Sequence, residues 1–381
     1  MSRTILDIHV LQTVPPSNLN RDDTGSPKTA TYGGVRRARV SSQAWKRATR
    51  TAFQGHLDAT ELGTRTKRVV ELVGARIAEI STGHTTENAL AAAAQVLKEA
   101  GIKTAEPRGK AGAPAESGYL LFLSAQQIEA LAQLGADSLT TGVAPTRALA
   151  QPLVKGKNSI DLALFGRMVA DVSDLNVDAA CQVAHAISTH KVDNEFDYYT
   201  AVDDHKAADA EEDAGAGMIG TVEFNSSTLY RYATVDVDRL HQNLGDAAAT
   251  ERAVAAFLRS FVTSMPTGKQ NTFANRTVPD AVVVSLREDQ PVSLVGAFEE
   301  PVPDSLAGGR VAASVDKLVA QARDVEAAFL SSAVQTWTVG VGPIADRLAP
   351  LGSALSFAAL VEAATATVST RLQVADTTDA T

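Results

Sequence analysis

The sequence of 381 residues holds one cysteine, Cys181, which rules out an intramolecular disulfide and leaves too few thiolates for a cysteine-rich zinc site. No apolar run approaches the roughly 18 residues needed to span a bilayer, so no membrane partner is expected. The opening MSRTILDIHV lacks the basic-then-apolar layout of a secretory leader, which points to a cytoplasmic protein. No G-x-S-x-G elbow is present, and the seven histidines are scattered. If 178 to 189 is a helix, Cys181 and His185 share a face, but no third or fourth ligand is identifiable. Neither an enzymatic constellation nor a cofactor or metal site is therefore expected.

Glycine patterns do not change this. Gly215-Ala-Gly217-Met-Ile-Gly220 matches G-x-G-x-x-G, yet it follows an acidic loop and opens a strand, where a dinucleotide fingerprint must follow a strand and open a helix. Gly340-Val-Gly342-Pro-Ile-Ala345 follows what reads as the end of a helix, and so reads as a turn. Pro266-Thr-Gly-Lys269-Gln lacks both the first glycine and the metal-holding hydroxyl of a P-loop.

What the chain does have is an ordinary globular composition, 45% hydrophobic and 21% charged, with a very uneven charge. The formal net charge is -9, but residues 1–110 carry 17 Lys and Arg against 10 Asp and Glu. Basic density peaks between Lys28 and Arg68, while Asp193 to Asp213 is acidic apart from Lys206. Either run alone is most simply a solvated face. Opposite runs in one chain also suit head-to-tail assembly.

The element order predicts an α+β fold. A strand at 5 to 12 precedes a long polar loop, the basic strand VRRARV and a helix capped by Ser41-Ser42. Helical patterns at 66 to 80, 86 to 100 and 124 to 134 (ended by Gly135) form an insertion, with a flexible loop at 101 to 118. Strand character returns at Phe196 to Val202 and Met218 to Val237 around an acidic tip. A helix at 247 to 264, a strand at 281 to 287, a helix at 310 to 335 and an amphipathic stretch at 353 to 372 complete the order.

The helix after Ser42 carries the strongest functional signal. At about 100° per residue, with Trp45 at zero, Lys46, Arg50, Gln43 and Arg47 project at roughly 100°, 140°, 160° and 200°. Trp45, Thr49 and Phe53 occupy the opposite arc. The helix can dock through its apolar side while offering three cations and an amide to a polyanion, aided by Ser41 and Arg36 together with Arg37 or Arg39. A solvated basic helix is the competing reading.

These blocks, in this order, resemble a known family. LDIHVL (6 to 11), NLNRDD (18 to 23), YGG (32 to 34), VRRARVSSQ (35 to 43) and KRA (46 to 48) resemble the amino-terminal signature of the CasC family, the RAMP-superfamily backbone subunit of the type I-E CRISPR surveillance complex Cascade. DLALFGRM, AHAISTHKVD, DYYTAVDD, GTVEFNSSTLYRYA and TGKQNTFA extend the resemblance to about residue 300. Residues 101–118 and the region after 300 match weakly, and the acidic tip at 206–217 is longer than usual.

The resemblance implies a palm resembling a modified RNA-recognition motif (ferredoxin-like), built from residues 1–58, 181–193 and 226–373. Helical fingers would cover 59–180, a thumb hairpin 194–225 and a disordered tail 374–381. It implies copies stacked head to tail along a CRISPR RNA beside other Cascade subunits in antiviral defence. Each thumb would displace one nucleotide, so that target DNA pairs in short segments. Lys28, Ser41, Gln43, Lys46 and Arg50 would line the RNA path with Arg21 nearby, and Met168 and Tyr199 would wedge at the displaced nucleotide. Arg36, Arg47, Arg167 and Tyr198 complete the candidate set. The alternative is a type III-like subunit that cuts target RNA with Asp22 or Asp23 in the amino-terminal loop.

Overall fold

The computed structural model describes residues 3–110, 112–169, 172–201, 218–304 and 308–379. The acidic tip expected at 206–217 lies outside them. The described chain is mixed α and β, as expected, with a large sheet and many helices. It divides into two compact units.

The first unit comprises Met1–Ala52, Val183–Thr234 and Leu258–Ala364. Its sheet runs, strand by neighbouring strand, through Ser353–Ala354, Gln335–Gly340, Ala281–Arg287, Ile5–Ser17, Met218–Asp236, Ala186–Ser188, Val35–Val40 and Thr29–Tyr32. Ile5–Ser17 is central and buried on both faces, which is why its apolar residues do not simply alternate. It pairs antiparallel with Ala281–Arg287 from Ile5↔Arg287 to Leu11↔Ala281. Pro15 and Pro16 extend the strand past that register, where their missing N–H groups break none of its bonds. One face, through Leu11, Tyr230 and Val283, packs under Val315, Leu318 and Val319 of the helix Gly309–Phe329. Asp7 and His9 are buried on the same face: the Tyr232 hydroxyl donates to Asp7 at 2.7 Å, and His9 Nδ1 lies 2.9 Å from the Tyr230 hydroxyl.

Three local expectations fail. The helix expected to reach 335 stops at Phe329, and Gln335–Gly340 is a strand paired antiparallel with Ala281–Arg287, burying Trp337. Thr336, Trp337, Thr338 and Val339 are the β-formers that drive this. The glycine pattern at 340–345 therefore follows a strand, although only a five-residue helix comes after it. Cys181 and His185 do not share a helix, because Cys181–Val183 and Ala186–Ser188 are strands.

The second unit comprises Phe53–Gln182, Val235–Phe257 and Thr365–Thr381. Helices Val69–Ile80, Thr86–Glu99 and Ala125–Thr141 pack around Val73, Ile77, Val96, Leu97, Leu131 and Ala136. The last of these runs through Gly135 rather than stopping there. A Cβ at Gly135 would overlap Ile77, so that glycine serves close helix contact, and Gly142 (φ 71°) is the left-handed cap. Within the loop expected at 101–118, Thr104–Ala105 pairs with Glu116–Ser117. Helix Phe357–Asp379 continues through most of the expected tail.

These units cut the chain differently from the expected palm, fingers and thumb. Residues 235–257 join the helical unit because Asn243 Nδ2 donates to Ala163 O and Asp178 O, and Arg252 pairs with Glu61 at 2.7 Å.

Candidate nucleic-acid interface

Helix Ser42–Ala52 is amphipathic as its sequence dictates. Trp45 and Thr49 are buried, Lys46 and Arg50 are half-buried, and Gln43 and Arg47 are exposed. Ser41 is the N-cap: its hydroxyl accepts from Ala44 N at 3.3 Å, and its own N–H donates to Asn20 Oδ1 at 2.9 Å. The amino-terminal loop is thereby tied to the start of the helix. Beneath the helix, the Arg231 guanidinium sits 3.8 Å from the Trp45 ring centroid and 4.7 Å from that of Phe261. Arg231 Nη1 donates to Gln12 Oε1 at 2.6 Å and Nη2 to Phe261 O. Burial lowers its pKa to about 9.

The basic strand sorts its arginines by depth. Arg37 is fully buried and donates to the carbonyls of Tyr32, Ser188, Phe298 and Glu299, so it is structural and desolvation depresses its pKa. Arg36 is exposed. Of the two alternatives left open by the sequence, Arg39 is the accessible one: its Nε donates to Thr29 O and its Nη1 lies 3.2 Å from His185 Nδ1. Desolvation, then the charges of Arg39 and Lys28, hold His185 below its ordinary pKa. Lys28 and Arg39 are thus two cations beside a neutral His185; the sequence named Lys28, left Arg39 open against Arg37, and did not point to His185. The signal was the alternation of VRRARV, which places Arg37 and Arg39 on the same side and cannot tell which end of it is covered.

The remaining candidates divide. Arg21 is exposed on the amino-terminal loop. Arg167 is a correction: it is 5% exposed, and its Nε, Nη1 and Nη2 donate to Leu175 O, Phe122 O and Val154 O. Burial drives its pKa down to about 10, and its donors hold the second unit together rather than facing a ligand. Its neighbour Met168 is 87% exposed. Glu195–Ala201 pairs antiparallel with Met218–Phe224, presenting Tyr198 at 64% and Tyr199 at 40% exposure. Tyr199 lies opposite Gly220, where an added Cβ would overlap its hydroxyl. The glycine makes the seat for the ring.

In the amino-terminal loop, Asp22 Oδ1 accepts from Thr24 N, Thr24 Oγ1 and Ser26 N at 2.8 to 3.0 Å. The Thr24 hydroxyl foremost holds its pKa below the ordinary range. That carboxylate is the brace of its own turn. Asp23 is exposed beside it.

A CT1975-like protein family model matches residues 6–363. A solved structure titled "CRISPR RNA-guided surveillance complex, pre-nicking" contains a chain 36% identical, with 96% of this chain and 100% of that chain covered and a TM-score of 0.84. A second, titled "CRISPR RNA-guided surveillance complex", gives 31% identity, 95% and 99% coverage and a TM-score of 0.74. No curated protein matches. The chain belongs to the CT1975-like protein family, the CasC-type family that its amino-terminal blocks resemble.

Proposed function

We propose that this chain is a non-catalytic CRISPR RNA-binding backbone subunit of a type I-E Cascade complex. Copies assemble head to tail along the guide and display it for pairing with target DNA, leaving sequence readout to the base pairs. The observation that carries this reading is the helix Ser42–Ala52: its buried face is fixed on Trp45, and its other face offers Gln43, Lys46, Arg47 and Arg50. Cations in that arrangement hold phosphates without reading bases. Its similarity to chains of two RNA-guided surveillance complexes supports the same assignment. Lys28, Arg36 and Arg21 extend the path, and the exposed Met168 and Tyr199 are each suited to wedge at a displaced nucleotide. The complex is expressed with its partner subunits carrying Lys46→Glu and Arg50→Glu. Loss of bound RNA with unchanged thermal unfolding is expected, and normal RNA loading contradicts the assignment.

A further inference from the structure

The helix Ser42–Ala52 has a second cationic flank. An open groove of about 930 Å³ in the first unit is bounded by the amino-terminal loop, by Ala44, Arg47, Ala48 and Thr51, and by the segment 264–269 with Arg276. On the helical wheel those four helix residues span roughly 200° to 300°, whereas Lys46 and Arg50 lie at roughly 100° and 140°. The groove therefore lies beside the Lys46 and Arg50 arc and shares only Arg47 and Arg21 with the path proposed above. Four cations line it: Arg21, Arg47, Lys269 and Arg276. None of the four side chains has an ion-pair or hydrogen-bond partner among the described residues. Several other arginines are spent differently: Arg37, Arg167 and Arg231 on buried carbonyls, and Arg68, Arg76, Arg252 and Arg347 on carboxylates.

The loop bearing Lys269 is held in an unusual backbone state. Lys269 (φ 46°) and Ala274 (φ 47°) are left-handed non-glycine residues bracketing the turn Gln270–Phe273. Such conformations cost about 1 kcal/mol or more each and persist where the surroundings enforce them. The enforcing contact is Gly268, whose missing Cβ lets it press against the backbone of Asn18 and Leu19. The Lys269 loop and the loop carrying Arg21 are thus seated on one another. Two carboxylates, Asp22 and Asp23, also line the groove, but Asp22 Oδ1 is already bonded to Thr24 and Ser26, and four cations against two carboxylates leave a net positive surface.

Building on the RNA-binding reading above, we infer that this groove is a second phosphodiester site, in which Lys269 and Arg276 act with Arg21 and Arg47 on the backbone of a single strand. Guanidinium forks and an ammonium on an open surface suit phosphate oxygens. The strand is either a further stretch of guide RNA or the target DNA paired to it.

The test uses the complex assembled with its partner subunits and carrying Lys269→Asn and Arg276→Gln. Asparagine tolerates the left-handed backbone, so the loop is preserved. If the groove holds the guide, bound RNA is lost at a lower salt concentration than from wild type. If it holds the target, guide content is unchanged, while affinity for a complementary single-stranded DNA falls and its log–log salt dependence becomes shallower by about 0.7 per contact removed. Unchanged RNA retention and unchanged DNA binding overturn the inference. In that event, RNA loss from the Lys46→Glu, Arg50→Glu complex leaves the function standing. RNA retained by that complex too would instead sink the RNA-binding reading itself.

Discussion

The Arg231 guanidinium lies over the Trp45 ring, 3.8 Å from its centroid, so a buried cation from the sheet pins the helix that presents the exposed ones. Anchor and interface occupy opposite arcs of one short helix and should separate by mutation. Trp45→Ala removes a fully buried side chain and should destabilise the fold by about 3–5 kcal/mol. Lys46→Glu with Arg50→Glu should change stability by less than about 1 kcal/mol. Chemical denaturation of the two variants checks this. Equal destabilisation would mean that the basic face is also a packing face.

Asp7 and His9 give opposite pH signatures. Burial raises the Asp7 pKa from 3.8 to about 6, so the folded state binds the extra proton and stability falls as pH rises through that window. Burial lowers the His9 pKa from 6.5 to about 3, so there the unfolded state binds the extra proton and stability rises with pH. Between about pH 4 and 6 the two slopes nearly cancel. Asp7→Asn keeps an oxygen for the Tyr232 hydroxyl but loses the acceptor of Val292 N, so its stability relative to wild type should start lower near pH 3.5 and rise by up to about 3 kcal/mol by pH 7. Urea unfolding across that range measures the difference, and a pH-independent difference would rule out the titration.

Gly220 and Tyr199 should behave as one unit. Gly220→Ala is expected to push the Tyr199 ring off its seat, weakening target pairing with less than about 1 kcal/mol of stability lost, since an exposed ring can swing into water. In a Tyr199→Ala background the same change should have no further effect. Additive losses in the double mutant would show that Gly220 serves something other than the ring.

The arginines show how far the sequence could be read. The basic arc of Ser42–Ala52 was legible because helical period is a short-range property of ten residues. The fates of Arg37 and Arg167 were not, because the carbonyls enclosing Arg37 come from residues as distant as Phe298, and those enclosing Arg167 from Phe122 and Val154. Lys269 and Arg276 were missed for the same reason: Arg21 and Arg276 line one groove across more than half of the chain. Strand Gln335–Gly340 was lost to an over-extended helix, although its alternating β-formers were visible.

Cleavage is the sharpest alternative to a scaffold. Incubating the assembled complex with complementary RNA and magnesium should leave that RNA intact, and Asp23→Ala should change nothing. Periodic cuts that vanish in Asp23→Ala would establish the loop aspartate as catalytic.

Whether this chain lines a guide RNA is decided by the nucleic acid that leaves the cell with it. The complex purified with its partner subunits should show an absorbance ratio typical of a ribonucleoprotein and release RNA of one defined length on denaturation. A nucleic-acid-free complex, or RNA of random lengths, would contradict the account.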